Sequence, residues 1–299
     1  MHPRKTIAKF AFVSLLSAGT ASAVTLVADF NDFPDNERLL NTNYGTGWPV
    51  AGFDSASQVK WGENVADGTA AGTSAILTTT GDLVAPGFTG YNISQTGTGR
   101  SVTGNSDLTR RQNRATGGMT GDIWMSWLMA PSADGRIGLN LNGSVKGFNG
   151  ADNVRIIALG SSFNVYGPGT NAQTSVFLAD ETVLLLGLLQ MDATGIDDRL
   201  RLWVNPTVSL GETNVLTNQT PIHDLVLDNA IMGSSLDTVG IVAYSASKNP
   251  GRIDSLRLSN DPNGFTAVTG VASVIPEPGT LSLALIGMAG LAARRRRSS

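Results

Sequence analysis

The chain has 299 residues, no cysteine, two histidines and a formal net charge of −3 at pH 7. Without cysteine there is no disulfide framework, thiolate metal site or cysteine nucleophile, and so few imidazoles cannot build a multi-histidine zinc centre. Arg4, Lys5 and Lys9 at one end and Arg294, Arg295, Arg296 and Arg297 at the other belong to 21 Lys+Arg, against 24 Asp+Glu, so the interior is strongly acidic. That excludes the electropositive face that nucleic acid requires and suits divalent cations or a hydrated polysaccharide.

The three basic residues near the start precede an apolar run over residues 10–18 (FAFVSLLSA) and the small-residue site Ala21-Ser22-Ala23. This is the layout of a secretory signal peptide over residues 1–23, cut after Ala23 to leave Val24 as the new N-terminus. The body, residues 24–272, is long enough to bury one substantial core. Its stability must then come from core size.

Glycine is abundant, and helix-period apolar patterns are scarce. Short alternating or β-branched runs predict strands at 25–30, 58–61, 74–80, 122–129, 136–141, 154–159, 163–166, 182–191, 200–204, 238–244 and 252–258. Within 122–129, Ile123, Met125, Trp127 and Met129 point one way, and Trp124, Ser126 and Leu128 the other. The run TVLLLGLLQM at 182–191 reads as a buried strand, because Gly187 and the β-branched start disfavour a helix. Residues 97–118, polar and carrying Arg100, Arg110, Arg111 and Arg114, read as a long surface loop. At 252–258, Ile253 falls off the face of Asp254, Leu256 and Leu258, a mixed pattern that suits an edge. Strands without intervening helices predict an all-β, two-sheet antiparallel sandwich.

Catalytic constellations are missing. His223 and Asp224 are neighbours, and adjacent residues on a strand face opposite ways. There is no Gly-x-Ser-x-Gly elbow. Glu37, Glu63, Glu181, Glu212 and Glu277 are isolated in sequence, so no strand presents the paired carboxylates of a glycosidase. The expectation is a protein that is not an enzyme. A sugar contact would need exposed aromatics: Trp61, Trp124 and Trp203 are weighed, Trp203 and Trp127 are assigned to core, and glycine-flanked Tyr44 and Trp48 are the preferred pair.

At the end, Pro276-Glu277-Pro278 forms a stiff, extended peptide that cannot begin a helix. The uncharged run at 280–293 would cover roughly 21 Å as a helix, short of a hydrocarbon core of about 30 Å, so it suits a transient anchor. Arg294 to Arg297 would remain cytoplasmic. Each feature alone also fits an ordinary C-terminal anchor. Together and in this order, residues 273–299 closely resemble the sorting tail of PEP-CTERM proteins. The resemblance implies an exported protein recognised by a membrane exosortase, held transiently by its C-terminal helix and bound for the cell envelope or extracellular matrix.

The body resembles laminin-G-like, concanavalin-type jelly rolls at Asp29-Phe30-Asn31-Asp32, at 183–206 and at 253–258. That resemblance implies a jelly-roll topology and a structural Ca²⁺ held by Asp29 and Asp254, with backbone carbonyls completing the set. The combined expectation is a structural or adhesive protein within exopolysaccharide, with a lectin-like carbohydrate-binding module as the alternative and a glycoside hydrolase behind it.

Overall fold

A computed structural model describes residues 23–28, 30, 62–64, 75–80, 83, 91, 100–105, 110–133, 135–142, 154–159, 162–167, 170–175, 181–191, 198–227, 234–245 and 251–271. In chain order these form β1 (Thr25–Ala28), β2 (Gly62–Asn64), β3 (Ala75–Thr80), β4 (Arg100–Asn105), β5 (Arg110–Met119), β6 (Gly121–Pro131), β7 (Gly135–Leu141) and β8 (Val154–Leu159). There follow β9 (Ser162–Gly167), β10 (Thr170–Ser175), β11 (Val183–Met191), β12 (Asp198–Val204), a 3-10 turn (Val208–Leu210), α1 (Gly211–Asn218), β13 (His223–Leu227), β14 (Leu236–Ser245), β15 (Gly251–Ser259) and α2 (Gly264–Thr269).

The strands make two antiparallel sheets. Sheet A runs β13-β12-β11-β6-β15-β4-β3, with β1 also on β15; sheet B runs β10-β9-β8-β7-β14-β5-β2. Their facing sides enclose the main core, which includes Leu26, Met125, Trp127, Leu139, Ile156, Phe163, Leu185, Leu202 and Ile241. This is the two-sheet antiparallel sandwich expected from the strand pattern, with the jelly-roll architecture that the resemblance implied. At about 1.5–3 kcal/mol for each large apolar side chain removed from water, such a core can hold a chain that has no cross-links.

The centre of sheet A, at β6 and β11, is buried on both faces. From β6, Ile123, Met125, Trp127 and Met129 enter the main core, while Trp124 and Leu128 join separate clusters on the opposite side. The predicted alternation therefore holds, but both of its sides are apolar. The same sheet explains the run VLLLGLLQM: Val183, Leu185 and Leu189 face inward, and Leu184, Leu186 and Leu188 face outward. A continuous apolar strand is what a doubly covered sheet requires. Gly187 leaves the space that Met125 fills, since a Cβ there would meet Met125 Cε at 3.0 Å.

The outer cover comes from elements the sequence pattern did not indicate. Val208 of the 3-10 turn, Val215 of α1, and Phe265 and Val268 of α2 pack on Trp124, Leu186, Leu188 and Trp203. Both helices are too short for an apolar period to register. α2 stops at Gly270, whose φ of 72° is left-handed and whose N–H donates to the Thr266 carbonyl at 2.8 Å.

Two readings are corrected. Residues 97–118 are no surface loop: β4 and β5 occupy most of them, and Arg114 is buried. Arginine-rich composition concealed a strand whose neighbours supply its apolar contacts. Nor is the strand over 252–258 an edge, since β15 pairs with β6 on one side and with β4 and β1 on the other. Its mixed pattern comes from a bulge. Register shifts between Asp254 and Arg257, Ser255 takes a φ of 52°, and Ile253, Leu256 and Leu258 consequently all enter the core.

The first described residues are tied to the end of β15. Val24 N–H donates to Asn260 Oδ1 at 2.8 Å, Asn260 N–H returns a bond to the Val24 carbonyl at 3.2 Å, and Thr25 pairs with Ser259. Ala23 is exposed. Among the described residues no helix is long and apolar enough to cross a membrane; residues 1–22 and 272–299 lie outside them.

Candidate functional site

The face of sheet B that turns away from the core carries an unusual row of polar side chains. Ile137, Leu139, Leu141, Val154, Ile156, Ala158, Phe163 and Val165 point inward, so alternation sends Asn140, Arg155, Asn164 and Tyr166 outward. Cross-strand register sets Asn140 opposite Arg155, and Arg155 opposite Tyr166. The Arg155 guanidinium stands over the Tyr166 ring, 5.5 Å from its centroid, a cation–π contact.

Asn140 is the exceptional member. It is 0% exposed, and neither its Oδ1 nor its Nδ2 has a hydrogen-bond partner. Asn164, also buried, leaves its Nδ2 unpaired. An unmet buried polar group costs about 1–3 kcal/mol, so these two amides weigh against the stability of the fold. Gly138 on the same strand and Gly240 across the ladder present no side chain beside Asn140. Gly138 is obligatory, since a Cβ there would fall 1.9 Å from the Ile156 carbonyl. Chemically, an amide that both donates and accepts, a guanidinium and an aromatic ring suit a neutral, hydroxyl-rich ligand.

Polar groups on the outward face of sheet A are instead paired with one another. Gln190 Nε2 donates to Asp122 at 3.1 Å, and Arg201 donates to Gln190 Oε1 at 2.8 Å. Arg199 makes two bonds of 2.6 Å to Asp224, whose carboxyl is held below its ordinary range by that guanidinium. Glu212, isolated in sequence, accepts a bond from Trp124 Nε1 at 3.2 Å. Burial, and less strongly the Asp122 charge, push its carboxyl upward against the pull of that bond.

The other sequence candidates are placed as follows. Trp124 and Trp203 stack at 6.1 Å beneath the helices, 3% and 2% exposed, so neither offers a sugar platform. His223 is a buried edge-strand residue: its ring lies 6.5 Å from Phe163, and its Nε2 has no partner. Burial lowers its pKa, with a bond to the Phe163 backbone opposing. Asp254 is buried and accepts N–H bonds from Leu83 at 2.9 Å and Ser255 at 2.6 Å. Among the described residues no group of three or more acidic or histidine side chains lies together. Ala21, Asp29, Tyr44, Trp48, Trp61, Pro276, Glu277, Pro278 and Arg294 to Arg297 lie outside the described residues.

The sequence missed Asn140 and Asn164. A signal existed, polar residues at alternate positions of otherwise apolar strands, but only the register reveals that they share a face.

Comparison with known proteins gives the tail its meaning. Residues 274–297 match the PEP-CTERM protein-sorting motif, which marks an exported protein held at the membrane during sorting. No curated protein matches the chain. Among solved structures, the chain is similar to a Bacillus subtilis protein of unknown function with a galectin-like fold, at 11% identity over 56% of this chain and 86% of that one, with a TM-score of 0.37. It is similar to the Caenorhabditis elegans galectin LEC-6 at 14% identity, over 50% and 89%, with a TM-score of 0.32. A GH131 β-glucanase catalytic domain from Podospora anserina aligns at 10% identity, over 62% and 76%, with a TM-score of 0.34. The likeness is one of fold alone.

Proposed function

We propose that this chain is a non-enzymatic protein of the cell envelope or extracellular matrix, exported through a signal peptide over residues 1–23 and sorted by an exosortase through residues 273–299. Its role is structural or adhesive within exopolysaccharide. The observation that carries this reading is the sorting motif at 274–297, where Pro276, Glu277 and Pro278 supply the extended peptide and Arg294 to Arg297 the cytoplasmic flank. Two further observations support it. β1 starts at Thr25, directly after the predicted cut at Ala23, and the interior is acidic and free of cysteine.

The test is processing of the full chain in hosts with and without an exosortase. Mass spectrometry should find Val24 as the N-terminus in both, and loss of the tail near Pro276 only where the exosortase is present. Full-length, uncut protein free in the cytoplasm would overturn the reading.

A second reading, a carbohydrate-binding module, is favoured by one observation: the unpaired Asn140 amide beside Arg155 on sheet B. A glycan array on the exported body should return a selective ligand, and Arg155→Ala should lose it. An array with no selective ligand leaves the structural role alone standing.

A further inference from the structure

We infer that, while its tail is uncut, the protein is held with the outward face of sheet A toward the membrane and the sheet B side turned away from it. This inference rests on the sorting reading above and adds an orientation to it.

The tail's point of departure is fixed. α2 lies on the outward face of sheet A, with Phe265 and Val268 buried among Trp124 and Trp203. Ser126 Oγ donates to the Val268 carbonyl, and Thr269 donates to the Phe265 carbonyl at 2.7 Å. Val271, the last described residue, packs on the same cluster. The chain therefore leaves the body from the sheet A side.

The tether is short. Only residues 272–279 separate Val271 from the apolar run at 280–293. Fully extended, they reach about 30 Å. A body of this length has a radius of gyration of roughly 18 Å, or on the order of 45 Å across. The tether is shorter than the object it holds, so the body cannot roll over to present sheet B to the lipid.

The distribution of exposed apolar groups agrees independently. Among the described residues the exposed large hydrophobics are Leu210 (59%) and Val226 (61%). Leu210 closes the 3-10 turn that covers sheet A, and Val226 stands opposite Arg199 on the same outward face. On sheet B the outward-pointing Asn140 and Arg155 are themselves buried, and among the described residues no large hydrophobic on that side is exposed.

The chain has no cysteine, so single cysteines can be labelled cleanly. Thr213→Cys on α1 and Ser162→Cys on β9 place a fluorophore on the two sides. The full chain, exported by a host lacking exosortase, is reconstituted into phosphatidylethanolamine–phosphatidylglycerol vesicles that carry nitroxide headgroups. Quenching should be several-fold stronger at residue 213 than at residue 162. Inserting about 20 Gly/Ser residues after Val271, which adds roughly 25 Å of reach, should remove the difference. Equal quenching without the insert, or a difference that survives it, overturns the orientation. Protein that does not float with the vesicles at all fails the sorting reading itself, a separate and recognisable outcome.

Discussion

The carboxylate of Asp254 accepts the backbone N–H of Leu83 across 171 residues of chain, at 2.9 Å. Its other oxygen accepts the N–H of Ser255, the left-handed residue of the β15 bulge. One buried side chain thus fixes a distant segment and a bent central strand together.

Removing that carboxylate should be costly. Asp254→Ala would strand two buried donors, at about 1–3 kcal/mol each, and urea unfolding should show a loss of several kcal/mol. Asp254→Asn retains one acceptor and should lose less. Equal, small losses for both would mean that the two N–H bonds do not hold the bulge. The absence of a calcium-dependent rise in the melting temperature of the wild type would remove Asp254 as a calcium ligand. A calcium-dependent rise that Asp254→Ala abolishes would instead establish the shared site with Asp29.

His223 should make stability fall with acid. Burial lowers its pKa in the fold, so below the ordinary value near 6.5 the unfolded chain binds a proton that the folded chain resists. Stability is therefore complete above pH 7 and declines as pH drops through the window below 6.5. His223→Gln should flatten that decline in thermal melts at pH 5 and pH 7. An unchanged slope would remove His223 as its source.

Glu212 should act in the opposite direction. Its carboxyl is raised by burial and by Asp122, so its contribution is present below the unfolded value of 4.5 and diminishes as pH rises through the folded one. Glu212→Gln keeps an acceptor for Trp124 and removes a half-buried charge. It should melt slightly higher than wild type at pH 7 and equally at pH 4, with tryptophan emission unchanged. A lower melting temperature at pH 7 would show that the charged bond to Trp124 outweighs desolvation.

How far the fold is legible in the sequence depends on local regularity. β6 and β11 announce themselves, one by alternation and the other by a long apolar run with β-branched residues at its start. β15 does not, because the bulge at Ser255 puts Ile253 and Leu256 on one face although their spacing is odd. β5 is disguised by Arg110, Arg111 and Arg114, which the sandwich accommodates at a cost: burial brings Arg114 down to about 10. α1 and α2 owe their existence to the apolar outer face of sheet A, a tertiary demand that no eight-residue window records. The sorting tail is legible for a different reason. Its code is read by a membrane and an enzyme rather than by the fold, and so it remains local.

The last prediction separates stability from binding at one residue. Asn140 is buried with both amide atoms unpaired, so an apolar side chain of similar size should fit the site better than the native one. Asn140→Leu is expected to raise the unfolding free energy by about 1–3 kcal/mol, the penalty an unmet buried polar group imposes. On the carbohydrate-binding reading the same change removes a donor and an acceptor from the ligand face, so retention on a glycan array should fall. Natural sites often sacrifice stability in this way. A variant that gains stability and keeps its ligand would make Asn140 a bystander. One that loses stability would mean the amide is doing structural service in the fold, and the case for sheet B as a ligand face would pass to Arg155 and Tyr166.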